Sequence, residues 1–175
     1  MKNAALLPLA LSLLASPAFA QGAAPEMFGV REVIVDYARF TDPKASDACG
    51  LTREEVSRVM AKALTGSGVP AIPVAEAKPL SLGVARIELM PQIASHAGDN
   101  LDCISWVTLA AENRANVVVP PVPTLRGVTI VYWRQQSMVS SSQSQHAPAT
   151  DDVLEKMAGQ FAQQYRLDQP SSAPQ

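Results

Sequence analysis

The most regular hydrophobic pattern in the chain predicts a helix that starts after Thr52. Apolar side chains recur at helical spacing and would form one stripe: Val56, Val59, Met60, Ala63 and Leu64. Thr52 is a favourable N-cap residue, and Glu55 three positions later would complete a capping box. Gly66 and Gly68 predict where the helix ends. We therefore expect an amphipathic helix that packs one face against a sheet.

Four other segments have the alternation and the β-branched or aromatic content that are typical of strands. They are residues 30–40, 80–90, 103–111 and 127–138. Pro91 is expected to end the second of these strands, because proline cannot donate a ladder hydrogen bond. For the same reason, the proline-rich segment 117–125 predicts an extended edge or connection rather than a central strand.

A second amphipathic helix is predicted from Thr150, with Asp151 and Asp152 in its first turn, where acidic groups interact favourably with the helix dipole. Its apolar stripe consists of Leu154, Met157, Ala158, Phe161 and Tyr165. The segment 137–149 before it is rich in serine and glutamine, which predicts a mobile loop. Residues 168–175 are expected to form a disordered tail.

These elements follow one another in the order β-α-β-β-β-α, which predicts a single α+β domain over residues 30–167. We expect a mixed, mostly antiparallel sheet with both helices on one face. The helix between the first two strands would make those strands parallel, and the later strands would form an antiparallel meander. Trp106 and Trp133 are both expected in the core; the alternative is that one of them lies on the open face of the sheet as a contact surface.

Residues 1–20 have the three-part pattern of a secretory signal peptide. One lysine is followed by a short apolar run, residues 4–15, and by small residues before a cleavage site after Ala20. The apolar run is too short for a membrane anchor, because a transmembrane helix needs about 20 apolar residues. We therefore expect cleavage after Ala20, a loose leader over residues 21–29, and a mature protein that is periplasmic or secreted and does not span a membrane.

The charge of the chain is close to balanced, with 14 Lys and Arg residues against 16 Asp and Glu residues. A nucleic-acid-binding domain would concentrate lysine and arginine in a basic stripe, whereas the basic residues here are scattered. We therefore expect no nucleic-acid partner. The length of 175 residues is enough for one domain with a substantial hydrophobic core.

Two cysteines, Cys49 and Cys103, remain after the predicted cleavage. An even number of cysteines in an exported chain predicts a disulfide. The alternative is a pair of free thiols with a redox or metal-binding role. A disulfide between these positions would join the region just before the first helix to the start of the third strand.

Candidate chemistry is sparse, since the chain has no G-x-S-x-G, H-E-x-x-H or C-x-x-C motif and no glycine-rich phosphate loop. Residue types that could bind zinc, or serve a hydrolase, meet in one region: His96, Asp99, Asp102 and Cys103. We instead expect a polar hairpin loop there. His146 is expected to be solvated, and pairing with Ser144 would need a rigid frame that the serine-rich loop lacks. We therefore expect no enzymatic activity, no cofactor and no metal.

These observations favour an exported binding domain that acts as an accessory subunit of a cell-envelope or transport assembly, with an envelope protein as its partner. An open sheet face and an extended edge support this hypothesis, because a free edge can recruit a partner strand. The alternative is a carrier of a small apolar ligand, such as a lipid, held between the sheet and the helices. The residues that would form this apolar pocket or contact surface are Val59, Met60, Trp106, Trp133, Met157 and Phe161.

Overall fold

The computed structural model describes residues 27–79, 85–99, 102–118 and 125–169, and the predicted signal peptide lies outside these ranges. The strands are β1 (Glu32–Val35), β2 (Arg39–Phe40), β3 (Ala71–Pro73), β4 (Arg86–Ala97), β5 (Asp102–Val118) and β6 (Leu125–Ser142). The helices are α1 (Pro43–Ala48), α2 (Arg53–Gly66) and α3 (Gln143–Asp168). Among these described helices, none has the length and apolar character needed to cross a membrane.

The strands form one mixed sheet in the order β3-β1-β4-β5-β6, and β2 pairs with β4 beyond the end of β1. β1 pairs in parallel with β3 and with β4, and α2 lies in the connection that follows β1. β4, β5 and β6 form an antiparallel meander. The predicted α+β class and mixed sheet are therefore confirmed. The predicted strands 30–40 and 80–90 contain β1 and the start of β4, and these two strands pair in parallel as expected.

The core lies on one face of the sheet, which we call the inner face, and both long helices pack there. On β5 the odd-numbered residues face inward, because Cys103, Val107 and Leu109 are buried in the core cluster. The large, fully buried side chains come from strands and helices alike: Met60, Leu64, Ile87, Leu89, Ile93, Leu109, Leu154, Met157 and Phe161. Each such burial contributes about 1.5–3 kcal/mol, so this cluster is the main source of stability.

The helix predicted after Thr52 is α2. The Thr52 hydroxyl accepts a hydrogen bond from the N–H of Glu55 at 3.2 Å, which satisfies one free donor of the first turn. The helix ends at Gly66, and Gly68 follows with φ +79°, a conformation that favours glycine. The capping box is incomplete, because the Glu55 carboxylate pairs with Arg58.

The first strand and the loop after it differ from the prediction. Residues 30–40 contain two short strands, β1 and β2, rather than one. We expected residues 41–50 to be a loop, whereas they contain α1. Asp42 caps this helix by accepting the N–H of Ala45 at 3.0 Å, and Pro43 occupies the first helical position, where a missing N–H costs nothing.

Pro91 does not end its strand, contrary to expectation. It lies within β4 and opposite Leu109 of β5. On the other side of β4 the carbonyl groups of Leu89 and Ile93 accept N–H groups from residues next to β1 and β2, respectively. Pro91 therefore falls where β4 passes from one neighbour to the next, and its missing N–H interrupts no ladder there.

The predicted loop at 137–149 is instead strand and helix. β6 continues to Ser142, and α3 starts at Gln143, so Thr150 is not an N-cap but lies inside α3 and is fully buried. Near the end of β6, the Ser141 hydroxyl lies 2.9 Å from a ring nitrogen of His146, so this polar side chain has a partner inside the protein. This part of the chain is therefore part of the folded domain.

Both boundaries of the domain lie farther out than predicted. Met27, which we assigned to the leader 21–29, is fully buried in the core. Its N–H donates to the carboxylate of Asp168, which we assigned to the tail, at 3.2 Å. Gln169 also donates to the Met27 carbonyl, at 2.9 Å. Hydrogen bonds therefore connect the two ends of the described chain.

The predicted disulfide is present between Cys49 and Cys103. Cys49 is the C-cap residue of α1, and Cys103 is the second residue of β5. Both cysteines are buried. The bridge therefore attaches α1 to the inner face of the sheet at the end where β5 begins.

Candidate functional site

One exposed apolar surface lies on the outer face of the sheet, where β5 begins and β6 ends. It consists of Ile104, Trp106 and Met138, which are 39%, 59% and 54% exposed, and we call it the outer patch. Trp106 and Met138 lie directly opposite each other on their strands, so the surface is continuous. Farther along the same face Met90 and Ala110 are buried, which confines the outer patch to one end of the sheet.

The two tryptophans have different environments, and the expectation that both lie in the core is wrong for Trp106. Even-numbered residues of β5 face away from the helices, and Trp106 is one of them. Trp133 is partly buried on the inner face, where its ring meets that of Phe161 edge-to-face with a centroid separation of 5.3 Å.

The six residues predicted as a pocket or contact surface therefore do not line one cavity. Val59, Met60, Met157 and Phe161 are buried in the core cluster, where their side chains fill the space between the sheet and the helices. Trp106 lies on the opposite face of the sheet. A shallow groove of about 540 Å³ lies elsewhere, between α2 and β3, and none of the six lines it.

The two edges of the sheet differ in their ability to accept another strand. β3 has three residues; its Pro73 has no N–H, and the Ala71 N–H is already bonded to the Val69 carbonyl at 2.8 Å. β6 has 18 residues and no proline, and within the described ranges no strand pairs with its outer side. A long unpaired edge is a template for strand addition. Met138 of the outer patch belongs to this edge strand.

Within the described residues, β5 and β6 also continue past β4 as a two-stranded arm. Pairing between β4 and β5 stops at Glu112, whereas β5 and β6 remain paired as far as Val118 and Leu125. The predicted proline-rich edge at 117–125 is therefore strand at both ends, and residues 119–124 lie outside the described ranges. The arm exposes three further apolar side chains: Val128, Ile130 and Val131.

The region of His96 does not form the predicted loop. His96 is an exposed residue of β4, paired with Ile104 of β5. Cys103 is in the disulfide, so its thiolate is not available as a metal ligand. Over the described ranges, no group of three His, Cys, Asp or Glu side chains has the spacing to bind a metal ion.

His146 is fully buried, contrary to the expectation that it is solvated. Its Nε2 lies 2.7 Å from the Ser105 hydroxyl, and its Nδ1 lies 2.9 Å from the Ser141 hydroxyl. The chain of contacts continues from Ser105 to Ser95 at 2.8 Å, and the Ser46 hydroxyl donates to Ser95 at 3.1 Å. We call these five residues the serine–histidine cluster; they join α1, β4, β5, β6 and α3.

Burial lowers the pKa of His146 below its ordinary value, because a charged ring loses its hydration in the interior. The contacts of both ring nitrogens are neutral hydroxyls, which can donate or accept as the ring requires. The neutral imidazole is therefore the form that the cluster holds. A neutral ring with two partners also satisfies its polar atoms without a buried charge.

A serine next to a histidine also raises the question of nucleophilic catalysis, in which the histidine would remove the hydroxyl proton. Ser105 and His146 are both sealed from solvent, so no substrate can reach them in this conformation. Ser144, which we considered as a partner for His146, contacts Ser142 instead. The geometry of the cluster fits a structural role, in which hydrogen bonds connect secondary-structure elements, better than a catalytic role.

Sequence reasoning missed the cluster because the composition of 137–149 resembles a linker. A signal was nevertheless present, since His146 and Thr150 continue the apolar stripe of α3 backwards from Leu154 in steps of four residues.

No protein-family model and no curated protein sequence match this chain. Among solved structures, it is similar to a PelC dodecamer from Paraburkholderia phytofirmans, with TM-score 0.48 and 12% identity over 75% of this chain and 88% of that chain. A second match is an uncharacterised protein, with TM-score 0.40 and 11% identity over 80% and 93% of the two chains. A third is described as a homologue of a neuraminyllactose-binding hemagglutinin from Helicobacter pylori, with TM-score 0.32 and 8% identity over 81% and 88%. We take no function from similarities this low.

Proposed function

We propose that this protein is an exported, non-catalytic binding domain and that it acts as an accessory subunit of a cell-envelope or transport assembly. The single observation that carries the proposal is the outer patch, in which Trp106 is 59% exposed beside Met138. Met138 lies on an edge strand whose outer side pairs with no other strand of the described residues. Exposed apolar side chains grouped in this way are typical of a surface that a partner covers.

The partner that best fits this surface is a protein that adds an extended strand to β6. Main-chain hydrogen bonds to the edge would supply affinity, and the side chains of the added strand would lie beside Met138 and cover Trp106. The last eight residues of β6, from Gln135 to Ser142, carry no charge. A partner that covers these eight residues would therefore not remove an ionised side chain from water.

Export is supported by the signal-peptide pattern of residues 1–20 and by the disulfide between Cys49 and Cys103. Disulfides persist in oxidising compartments such as the bacterial periplasm and are rare in the cytosol. An envelope protein is therefore the partner we expect. The arm formed by β5 and β6 provides a second exposed apolar surface that could extend the contact.

The experiment is a crosslinked pull-down from the envelope fraction of the native cell, with proteins and lipids identified by mass spectrometry. The test variant is Trp106→Ser combined with Met138→Ser. The matched control is Leu167→Ser, because Leu167 is an apolar residue on α3 that is even more exposed, at 71%. We expect one protein at constant stoichiometry with the wild type and the control, and its loss with the double variant.

Capture that is identical for all three proteins would refute the outer patch as the binding surface. A lipid that co-purifies with no protein partner would instead support the alternative, a carrier of an apolar ligand. Circular dichroism of each variant shows whether the fold is retained. Since Trp106 and Met138 are exposed, we expect little effect of these substitutions on folding.

A further inference from the structure

The first turn of α3 is held to the sheet by one buried side chain. His146 contacts β5 through Ser105 and β6 through Ser141. Outside the cluster, Gln143 donates a hydrogen bond from its exposed side chain to the carbonyl of Ala48 in α1, and Ala147 is partly buried against the core. His146 is the only fully buried side chain of residues 143–147, so the attachment of this turn depends mainly on whether His146 can remain buried.

Pro148 weakens the link between this turn and the rest of α3. It lies inside the helix and has no N–H to donate to the carbonyl of Ser144, four residues before it. Residues 143–147 therefore share fewer backbone hydrogen bonds with the rest of the helix than an uninterrupted turn would. They can separate from the sheet while the helix beyond Pro148 stays packed.

A proton on His146 opposes the closed arrangement for two reasons. The ring would carry its charge in a buried site, and it would lie near the positive end of the α3 dipole. The titratable or charged residues nearest in sequence to the cluster on each element are Lys44 and Asp47 on α1, His96 on β4, Asp102 on β5, Arg134 on β6 and Asp151 on α3. All of these except Asp151 are exposed, and none of them hydrogen-bonds to His146 within the described ranges. In the described part of the chain, no carboxylate therefore compensates the charge through a hydrogen bond to the ring.

We propose that the serine–histidine cluster is a pH-operated latch, in which neutral His146 holds residues 143–147 against β5 and β6 and protonated His146 releases them. This inference stands on the geometry of the cluster and does not depend on the proposed function.

The direction of the pH effect follows from a comparison of the released and closed forms. In the released form His146 is hydrated, and its pKa approaches the ordinary value of 6.5; in the closed form burial lowers the pKa. The released form therefore takes up a proton more readily, and closure is stable above the ordinary pKa and is lost progressively as the pH falls below it. If the closed form stays neutral throughout, the equilibrium constant for release rises about 30-fold between pH 8 and pH 5.

Asp151 acts in the opposite direction. Burial, followed by the charge of Glu55, raises the pKa of its carboxyl group, so acid favours the folded form at that residue. A pH effect in the wild type alone would combine both contributions. Comparison with a variant that lacks only His146 separates them.

The experiment is hydrogen–deuterium exchange of the purified protein at about pH 8 and about pH 5, corrected for the intrinsic exchange rate, with peptides that cover residues 139–153. We expect protection in these peptides to fall by up to about 30-fold at the lower pH in the wild type. The variant His146→Gln keeps hydrogen-bonding atoms but cannot take up the proton, so its protection should not fall at the lower pH. The control His96→Gln, at the other histidine of the chain, should behave like the wild type.

An equal loss of protection in the wild type and in His146→Gln would overturn the proposal. If His146→Gln does not fold, the wild type decides the question through an NMR titration of its two histidine rings. The latch requires that the loss of protection at 139–153 follows the fraction of charged His146. Charging of His146 while these amides stay protected would refute it.

Discussion

Replacing both Cys49 and Cys103 with alanine is expected to lower the free energy of unfolding by about 4 kcal/mol. The disulfide joins residues 54 positions apart, and closing a loop of this length in the unfolded chain removes conformational entropy equivalent to about 4 kcal/mol at room temperature. Both cysteines are buried, so the alanine side chains also leave a small space in the core, which adds to the cost.

The assay is urea unfolding followed by tryptophan fluorescence, because Trp133 packs on Phe161 in the core. Small domains have total stabilities of about 5–15 kcal/mol, so the double variant should unfold at a much lower urea concentration. The slope of the transition should also change, since the unfolded chain without the bridge is less compact. A loss of stability below about 1 kcal/mol would refute the reasoning, because residual structure would then already restrain the unfolded chain.

Two further substitutions test the core and the cap of α2 by the same unfolding assay. Phe161→Ala should lower the free energy of unfolding by about 3–5 kcal/mol, because Phe161 is fully buried and packs on Trp133. A loss of stability as small as that of an exposed α3 variant, such as Leu167→Ala, would contradict this packing. Thr52→Ala should cost about 1 kcal/mol, because it removes the acceptor for the Glu55 N–H, whereas Thr52→Ser should retain most of the stability.

The parts of the fold that the sequence predicts well are those in which periodicity and local chemistry agree. For α2, the apolar stripe, the Thr52 cap and the terminal glycines all indicate the same helix. The order of strands and helices then limits the topology, because a helix between two neighbouring strands of a sheet implies that they are parallel. These arguments need no knowledge of distant contacts.

The parts that the sequence did not predict depend on contacts between distant residues. Asp42 and Pro43 form a turn signal and also a helix start, and α1 is too short for a hydrophobic period to distinguish the two. Pro91 is tolerated in β4 only because the neighbouring strand changes there. His146 is buried only because two strands, β5 and β6, place serine hydroxyls beside its ring nitrogens.

At one end of the sheet, the usual distribution of polar and apolar side chains is inverted. The inner face carries Ser105 and Ser141 of the serine–histidine cluster, whereas the outer face carries Ile104, Trp106 and Met138. Shifting β5 by one residue would bury Trp106 and expose Ser105, which local hydrophobicity alone would favour. Sequence reasoning placed Trp106 in the core because large apolar side chains are usually buried.

The observed register must therefore be held by other contacts of the same strand. Val107 and Leu109 fill the core on the inner face, and Cys103 is fixed to α1 by the disulfide. A shift of β5 by one residue would remove Val107 and Leu109 from the core and would turn Cys103 away from Cys49. Because the fold retains an exposed tryptophan that a different register would bury, the inversion supports our proposal that a partner covers the outer patch.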